Sequence, residues 1–263
     1  MNTRWTAALG RSRPVAAGAG FSTSHPAMLD RTAGFGQKRT DELNQLGNVM
    51  WPFSTQEKKR ASQFEAVFLP DEFPVTSAKA TAIPDPYLAS LLTKWGGTSF
   101  NGGIYRLLCS DDLPTWTAKC DSAFPEFAGR FIPFGFDWLG RMFVLDRQRY
   151  VDGAAAVNLL EPGTGEMLET PCSAELFHEV ELVDYCEAAL AESFFHAWLN
   201  AGGSPPTRAQ CVGYRQPLFL GGTDTVPNLE LTDLSVYWDI AVQLRRQTLG
   251  LPVGIIINNI RIE

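Results

Sequence analysis

Phe131-Ile132-Pro133-Phe134-Gly135-Phe136, then Asp137-Trp138-Leu139-Gly140, then Arg141-Met142-Phe143-Val144-Leu145 follow one another without a break. The outer stretches are aromatic and aliphatic runs of strand length. The middle four residues place Asp and Gly where tight turns favour them. Together they read as a β-hairpin over 131–146. A second hairpin follows: Ala156 to Leu160, the turn Glu161-Pro162-Gly163-Thr164-Gly165-Glu166, and Met167 to Thr170. Ile104 to Leu108 reads as a strand before them, and Gly254 to Ile262 as a closing strand.

The helical signals lie on either side. Pro86 opens a helix whose Tyr87, Leu88, Leu91, Leu92 and Trp95 share one face, and Gly96-Gly97 ends it. Gln56 to Phe68 predicts a short helix, and Trp116 to Phe127 is amphipathic without a decisive period. Ser173 to Glu181 reads as a short helix. Tyr185 to Asn200 reads as a longer one, capped by Asp184 with Glu187 three residues on, and stopped by Gly202-Gly203. The last helix runs from Leu234 to about Leu249. Asp233 caps it, Leu234, Tyr237, Trp238, Ala241 and Leu244 line one side, and Gly250 with Pro252 ends it. Helices and hairpins do not alternate strictly, so the expected class is α+β: a mixed, largely antiparallel sheet with hairpins packed against several helices.

The ends are less regular. Residues 1–49 are rich in Gly, Ala, Ser, Arg and Pro and hold no apolar period. They read as a disordered basic tail, as an organellar targeting peptide, or as sequence preceding a true start at Met50. Residues 50–80, punctuated by Pro70 and Pro74, read as an extended connector with a short helix. Residues 81–263 form the expected folded domain, with a possible sub-boundary near 172.

Charge and composition exclude some functions. The chain has 263 residues and a net charge of −7. The first 49 residues carry six Lys/Arg and three Asp/Glu; the other 214 carry 16 and 26, a body of charge −10. Such a body argues against direct nucleic-acid binding, which needs clustered Lys and Arg. It suits a basic protein partner. No apolar run reaches the roughly 18 residues of a membrane helix. The five cysteines form no CxxC pair and read as reduced thiols, which favours a reducing compartment.

No motif announces chemistry. Gly163-Thr164-Gly165 lacks the third glycine and following helix of a phosphate loop and reads as a turn. His178-Glu179 begins like a zinc-protease helix, but Leu182 stands where the second histidine belongs. His178 and His196, roughly 27 Å apart along a straight helix, cannot share a metal, and each reads as a partly buried or surface histidine. No G-x-S-x-G elbow is present. The expectation is no catalytic residue, no cofactor and no metal. A hydrolase using an unrecognised Asp/Glu pair stays open as an alternative.

Five residues are candidate partner contacts: Asp137, Trp138 and Arg141 at the first hairpin, and Asp224 and Glu230 downstream. A turn-borne Trp beside a carboxylate suits an interface anchor, although it can equally fold back on the core. Gly221, Gly222, Asn228, Tyr237 and Trp238 are expected to be structural.

Three stretches carry a family resemblance. They are Ile83-Pro84-Asp85-Pro86-Tyr87-Leu88, Trp95-Gly96-Gly97 and Asn101-Gly102-Gly103-Ile104-Tyr105; Pro133-Phe134-Gly135 with Trp138-Leu139-Gly140-Arg141-Met142-Phe143; and Gly213-Tyr214, Pro217-Leu218-Phe219-Leu220-Gly221-Gly222 and Asn228-Leu229-Glu230. In this order they resemble the type VI secretion DNase-immunity proteins, in which a GAD-like region precedes a C-terminal immunity domain. The likeness spans roughly residues 80–262 and is strongest over 213–244. The first stretch also resembles the opening of Smi1/Knr4-type immunity proteins. The resemblance implies a cytoplasmic antitoxin that binds and neutralises a nuclease toxin, with no catalytic residues of its own. A regulatory scaffold of the Smi1/Knr4 kind, with no toxin partner, is the alternative.

Overall fold

Turn chemistry and apolar runs build a six-stranded antiparallel meander. The computed structural model describes residues 62–72, 83–248 and 250–251, and the paired backbone of 5–6 and 256–257. The chain divides into two units, Met1–Arg11 with Ala61–Glu263, and Ser12–Arg60; every described residue lies in the first. There a two-residue strand β1 (Trp5–Thr6) pairs with β10 (Ile256–Ile257). Beyond these pairs, the expected tail over 1–49 and closing strand over 254–262 lie outside the described residues.

The meander runs β2 (Ser99–Phe100), β3 (Tyr105–Leu107), β4 (Phe131–Asp137), β5 (Met142–Val151), β6 (Ala154–Glu161) and β7 (Glu166–Ser173), each paired antiparallel with the next. Both expected hairpins are present, and a third joins them. Asp152 and Gly153 both take positive φ, 51° and 82°, as a two-residue turn between β5 and β6. The Asp-Gly pair is the strongest short-range hairpin signal, because both central residues of such a turn need positive φ. A separate pair, β8 (Gln210–Tyr214) and β9 (Leu229–Asp233), completes the strands of this unit. The α+β class is therefore observed.

In β5, Met142 through Leu145 are all buried, and in β6 so are Ala156 through Leu160. Unbroken burial means both faces of the sheet centre are covered. The helices among the described residues are α1 (Gln63–Val67), α2 (Pro86–Trp95), α3 (Leu113–Ala123), α4 (Ala174–Leu176), α5 (Leu182–Asp184), α6 (Cys186–Leu190), α7 (Glu192–Asn200) and α8 (Leu234–Thr248); α3 packs on β4 and α4 on β6 and β7. Among the described residues, no helix is long and apolar enough to cross a membrane.

Several caps match their sequence signals. The Asp85 side chain accepts the Leu88 N–H at 2.8 Å with Pro86 at the first helical position, and Asp233 accepts the Val236 N–H at 2.9 Å to start α8. Ser173 caps α4 through the Leu176 N–H. The helix it opens continues through a π-helical stretch, Phe177–Glu181, into α5, and so runs beyond the expected 181.

Three expectations are corrected. The segment 62–72 is not a connector: Phe64 and Phe68 are buried in the main core, stacked on each other at 4.9 Å and edge-on to Tyr105. Its helix is Gln63–Val67, and residues 56–61 and 73–80 lie outside the described residues. The long helix over 185–200 is two helices, because Ala191 takes a left-handed φ of 53°. Glu187 does not pair with Asp184; its carboxylate accepts the Ser193 N–H at 2.8 Å and so starts α7. Finally, nothing divides the unit near 172, where β7 runs directly into α4.

Candidate partner interface

The β4–β5 turn lies inside the molecule. Asp137 has no exposure; its carboxylate accepts the N–H groups of Leu139 at 3.0 Å and Arg141 at 2.9 Å, and pairs with Arg141 Nε at 2.5 Å. Burial pushes its pKa up, against the pull of Arg141 and Arg106. Arg106, also fully buried, donates to the carbonyls of Asp137, Thr207 and Gln210 and stacks over Phe136 at 4.4 Å. Trp138 has no exposure. Its indole N–H donates to the Leu190 carbonyl at 2.8 Å, with the Phe194 and Phe195 rings at 5.4 and 5.2 Å. Trp238 donates to the Gly140 carbonyl at 2.8 Å and meets Trp116 edge-on.

This corrects the reading of Asp137, Trp138 and Arg141 as an exposed anchor. Asp137 and Trp138 cannot touch a partner, and the Arg141 side chain is 12% exposed and locked on Asp137. The physical reason is that helices from far along the chain close over the turn, which no local pattern reveals. Asp224 and Glu230 are at the surface, but elsewhere. Asp224 accepts the Tyr214 hydroxyl at 2.8 Å, and Glu230 sits 3.6 Å from Arg215. The five candidates do not form one site.

The residues read as structural hold the loop over 215–228 and the helix beside it. Gly221 is left-handed, and a Cβ on Gly222 would stand 1.9 Å from the Gln216 carbonyl oxygen. Asn228 accepts the Gln216 N–H and donates to the carbonyls of Gln216 and Thr223. Tyr237 packs its ring against Gly213.

His178 is fully buried, not partly exposed as the sequence suggested. The carbonyl of Ala174, 2.7 Å from Nδ1, can only accept, so Nδ1 carries the proton and Nε2 accepts the Tyr105 hydroxyl at 2.8 Å. Burial pulls its pKa down to about 4. The next residue, Glu179, accepts from the Ser62 and Tyr87 hydroxyls and from the Gln63 and Phe64 N–H groups, tying α1 to the π-helical stretch. These partners hold its pKa below the usual value. The wider π turn carries His178 in the core and Glu179 on α1. Both are structural. His196 is exposed, 3.9 Å from Glu192.

The surface feature that sequence reasoning missed is electrostatic. Between Arg149 and Arg208 there is no Lys or Arg, while the same stretch holds ten Asp and Glu. Of these, Glu161 is largely buried beside Arg141 and Glu179 is consumed by α1. Exposed Glu166, Glu169, Glu175, Asp184 and Glu187, with half-buried Glu181, lie on the consecutive elements β7, α4, the π-helical stretch, α5 and α6. β7 also packs on the π-helical stretch. Among these charges Leu168, Leu176, Val180 and Tyr185 are 44%, 39%, 38% and 57% exposed. This part of the surface combines carboxylates with unshielded apolar side chains. The missing cations were countable in the sequence, but only the fold shows which carboxylates reach solvent.

Concave regions lie elsewhere on the described residues. An open groove of about 630 Å³ lies between α3 and α8, spanned by the Lys119–Asp239 ion pair. A cleft of about 180 Å³ is lined by Asp112, Trp116, Arg208 and Asp233, the last already committed to capping α8. Among the described residues, no three His, Cys, Asp or Glu side chains are grouped to hold a metal.

No family model matches the chain, and no curated protein sequence matches it. Among solved structures it is similar to the crystal structure of Atu4351 from Agrobacterium tumefaciens. The two align at a TM-score of 0.50 and 16% identity, over 73% of this chain and 95% of that one. The likeness shows the fold alone.

Proposed function

We propose that this chain is an immunity protein that binds and neutralises a nuclease effector of the type VI secretion kind, in the cytoplasm. The observation that carries the reading is the acidic, partly apolar surface on β7 and α4–α6. A DNase must present basic surface to its phosphate-rich substrate, and a carboxylate-rich face is complementary to it. The order of motifs that resembles the DNase-immunity proteins supports the same reading, and the five free cysteines suit a reducing compartment. The chain acts by complementarity, not bond-making: its buried Asp137 and His178 and its half-buried Glu179 are each committed to hydrogen bonds that hold the fold together.

The test is affinity capture on the immobilised chain from its native host, followed by co-expression with the captured protein. The expected result is a basic nuclease, held at low salt, whose toxicity the chain suppresses. Replacing Glu175, Glu181 and Asp184 together by lysine removes both capture and protection while thermal unfolding is kept. If no nuclease is captured, or the triple variant protects as well as the parent, the reading fails.

A further inference from the structure

The two edges of the meander are treated differently. Residues 69–71 close the β2 edge: Pro70 bridges to Phe100, the Asp71 N–H reaches the Ser99 carbonyl at 2.9 Å, and the Asn101 N–H reaches the Leu69 carbonyl at 3.0 Å. On the β7 edge, among the described residues, only β6 makes backbone-to-backbone hydrogen bonds with Glu166–Cys172. Two side chains touch this backbone: Thr164 Oγ1 accepts the Glu166 N–H, and Arg149 donates to the Thr170 carbonyl. An unpaired edge of this kind is a template for another strand.

We propose that the span Glu166–Glu169 is an acceptor edge, to which an extended segment of the partner protein bearing Lys or Arg adds as a seventh strand. The inference rests on the partner-binding reading above and specifies how the partner docks. The charges decide the occupant. Glu166 and Glu169 are exposed on either side of Leu168, itself 44% exposed. A second copy of the chain, pairing antiparallel, would bring the Glu166 and Glu169 of both copies onto one short edge, and like charges there repel. Glu166 and Glu169, three apart in a regular register, lie on opposite faces of the strand, so a segment with cations three positions apart meets both with opposite charge and lays an apolar residue by Leu168. Pro171, which has no N–H, and the Arg149-bound Thr170 carbonyl end the usable edge. Glu175, on the helix that β7 runs into, extends the negative field beyond it.

The probe is an eight-residue peptide with lysine at every third position and valine between, compared with the same peptide carrying a central proline. Amide hydrogen exchange of the full chain reads the site. The expected outcome is added protection within 166–169, binding at least tenfold weaker for the proline peptide, and a similar loss in the Glu166→Lys, Glu169→Lys double variant, whose exposed side chains leave the fold intact. Equal binding of the two peptides, protection elsewhere with none in 166–169, or self-association of the free chain in sedimentation overturns the proposal. The two readings fail separately. If the captured nuclease binds this double variant as tightly as the parent, strand addition is lost and the immunity reading stands. If the peptide adds as a strand but no nuclease is captured, the immunity reading is lost and the acceptor edge stands.

Discussion

Trp138 shows how much a single residue depends on what folds around it. Its neighbours in sequence are turn residues, yet its indole is sealed by Phe194 and Phe195 and hydrogen-bonded to the Leu190 carbonyl. Trp138→Ala therefore leaves a cavity and an orphaned carbonyl, and is expected to cost about 3–5 kcal/mol. Chemical denaturation checks this, and a loss below about 1 kcal/mol would mean that the ring is not core. His178 makes a second prediction at this scale. Its folded-state pKa of about 4 lies below the ordinary value of 6.5 because burial disfavours the charged ring. The neutral form stabilises the fold fully above pH 6.5, and this contribution is lost as pH falls from 6.5 towards 4. The shift is worth on the order of 3 kcal/mol. Stability measured from pH 7 to pH 4.5 should fall in the parent, and His178→Gln, less stable at pH 7, should show a flatter dependence. Equal slopes would rule out His178 as the cause.

At the scale of elements, the break between α6 and α7 carries local strain. Ala191 is held left-handed, a conformation that costs an L-residue roughly 1 kcal/mol or more, while its N–H and carbonyl still close α6 and open α7. Ala191→Gly removes that cost, offset in part by the entropy of glycine. The variant is expected to gain up to about 1 kcal/mol, seen as a higher urea midpoint at unchanged slope. A lower midpoint would show that the methyl group's packing outweighs the strain. The π-helical stretch is the other irregular element. Sequence spacing could not distinguish it from an ordinary helix, because the extra residue is accommodated only when His178 and Glu179 have both found their partners in Tyr105 and α1.

At the scale of the whole molecule, the unit is larger than the sequence boundary at 81 suggested. Phe64 and Phe68 complete the core around Tyr105 and His178, and Glu179 fastens the segment that carries them. The acidic surface belongs to this scale too. Its carboxylates are spread over five consecutive elements, each of which shows only one or two of them. Proline-rich spacing around Pro70 and Pro74 reads as linker because Pro breaks local structure, whereas Phe64 and Phe68 show their role only against residues far along the chain.

What the amino-acid order determined by itself is local. The hairpins over 131–146 and 156–170, the Pro86 and Asp233 helix starts, and the apolar face of α8 follow from turn chemistry, caps and period, each acting within a few residues. So does the overall excess of carboxylates. Only the tertiary structure decided which face of each element water reaches. It buried Asp137 and Trp138 under helices some fifty to one hundred residues away, drew Phe64 and Phe68 into the core, split a helix at Ala191, and turned Glu166 and Glu169 of β7 to the surface. Burial depends on contacts between distant segments, and local spacing carries no record of them.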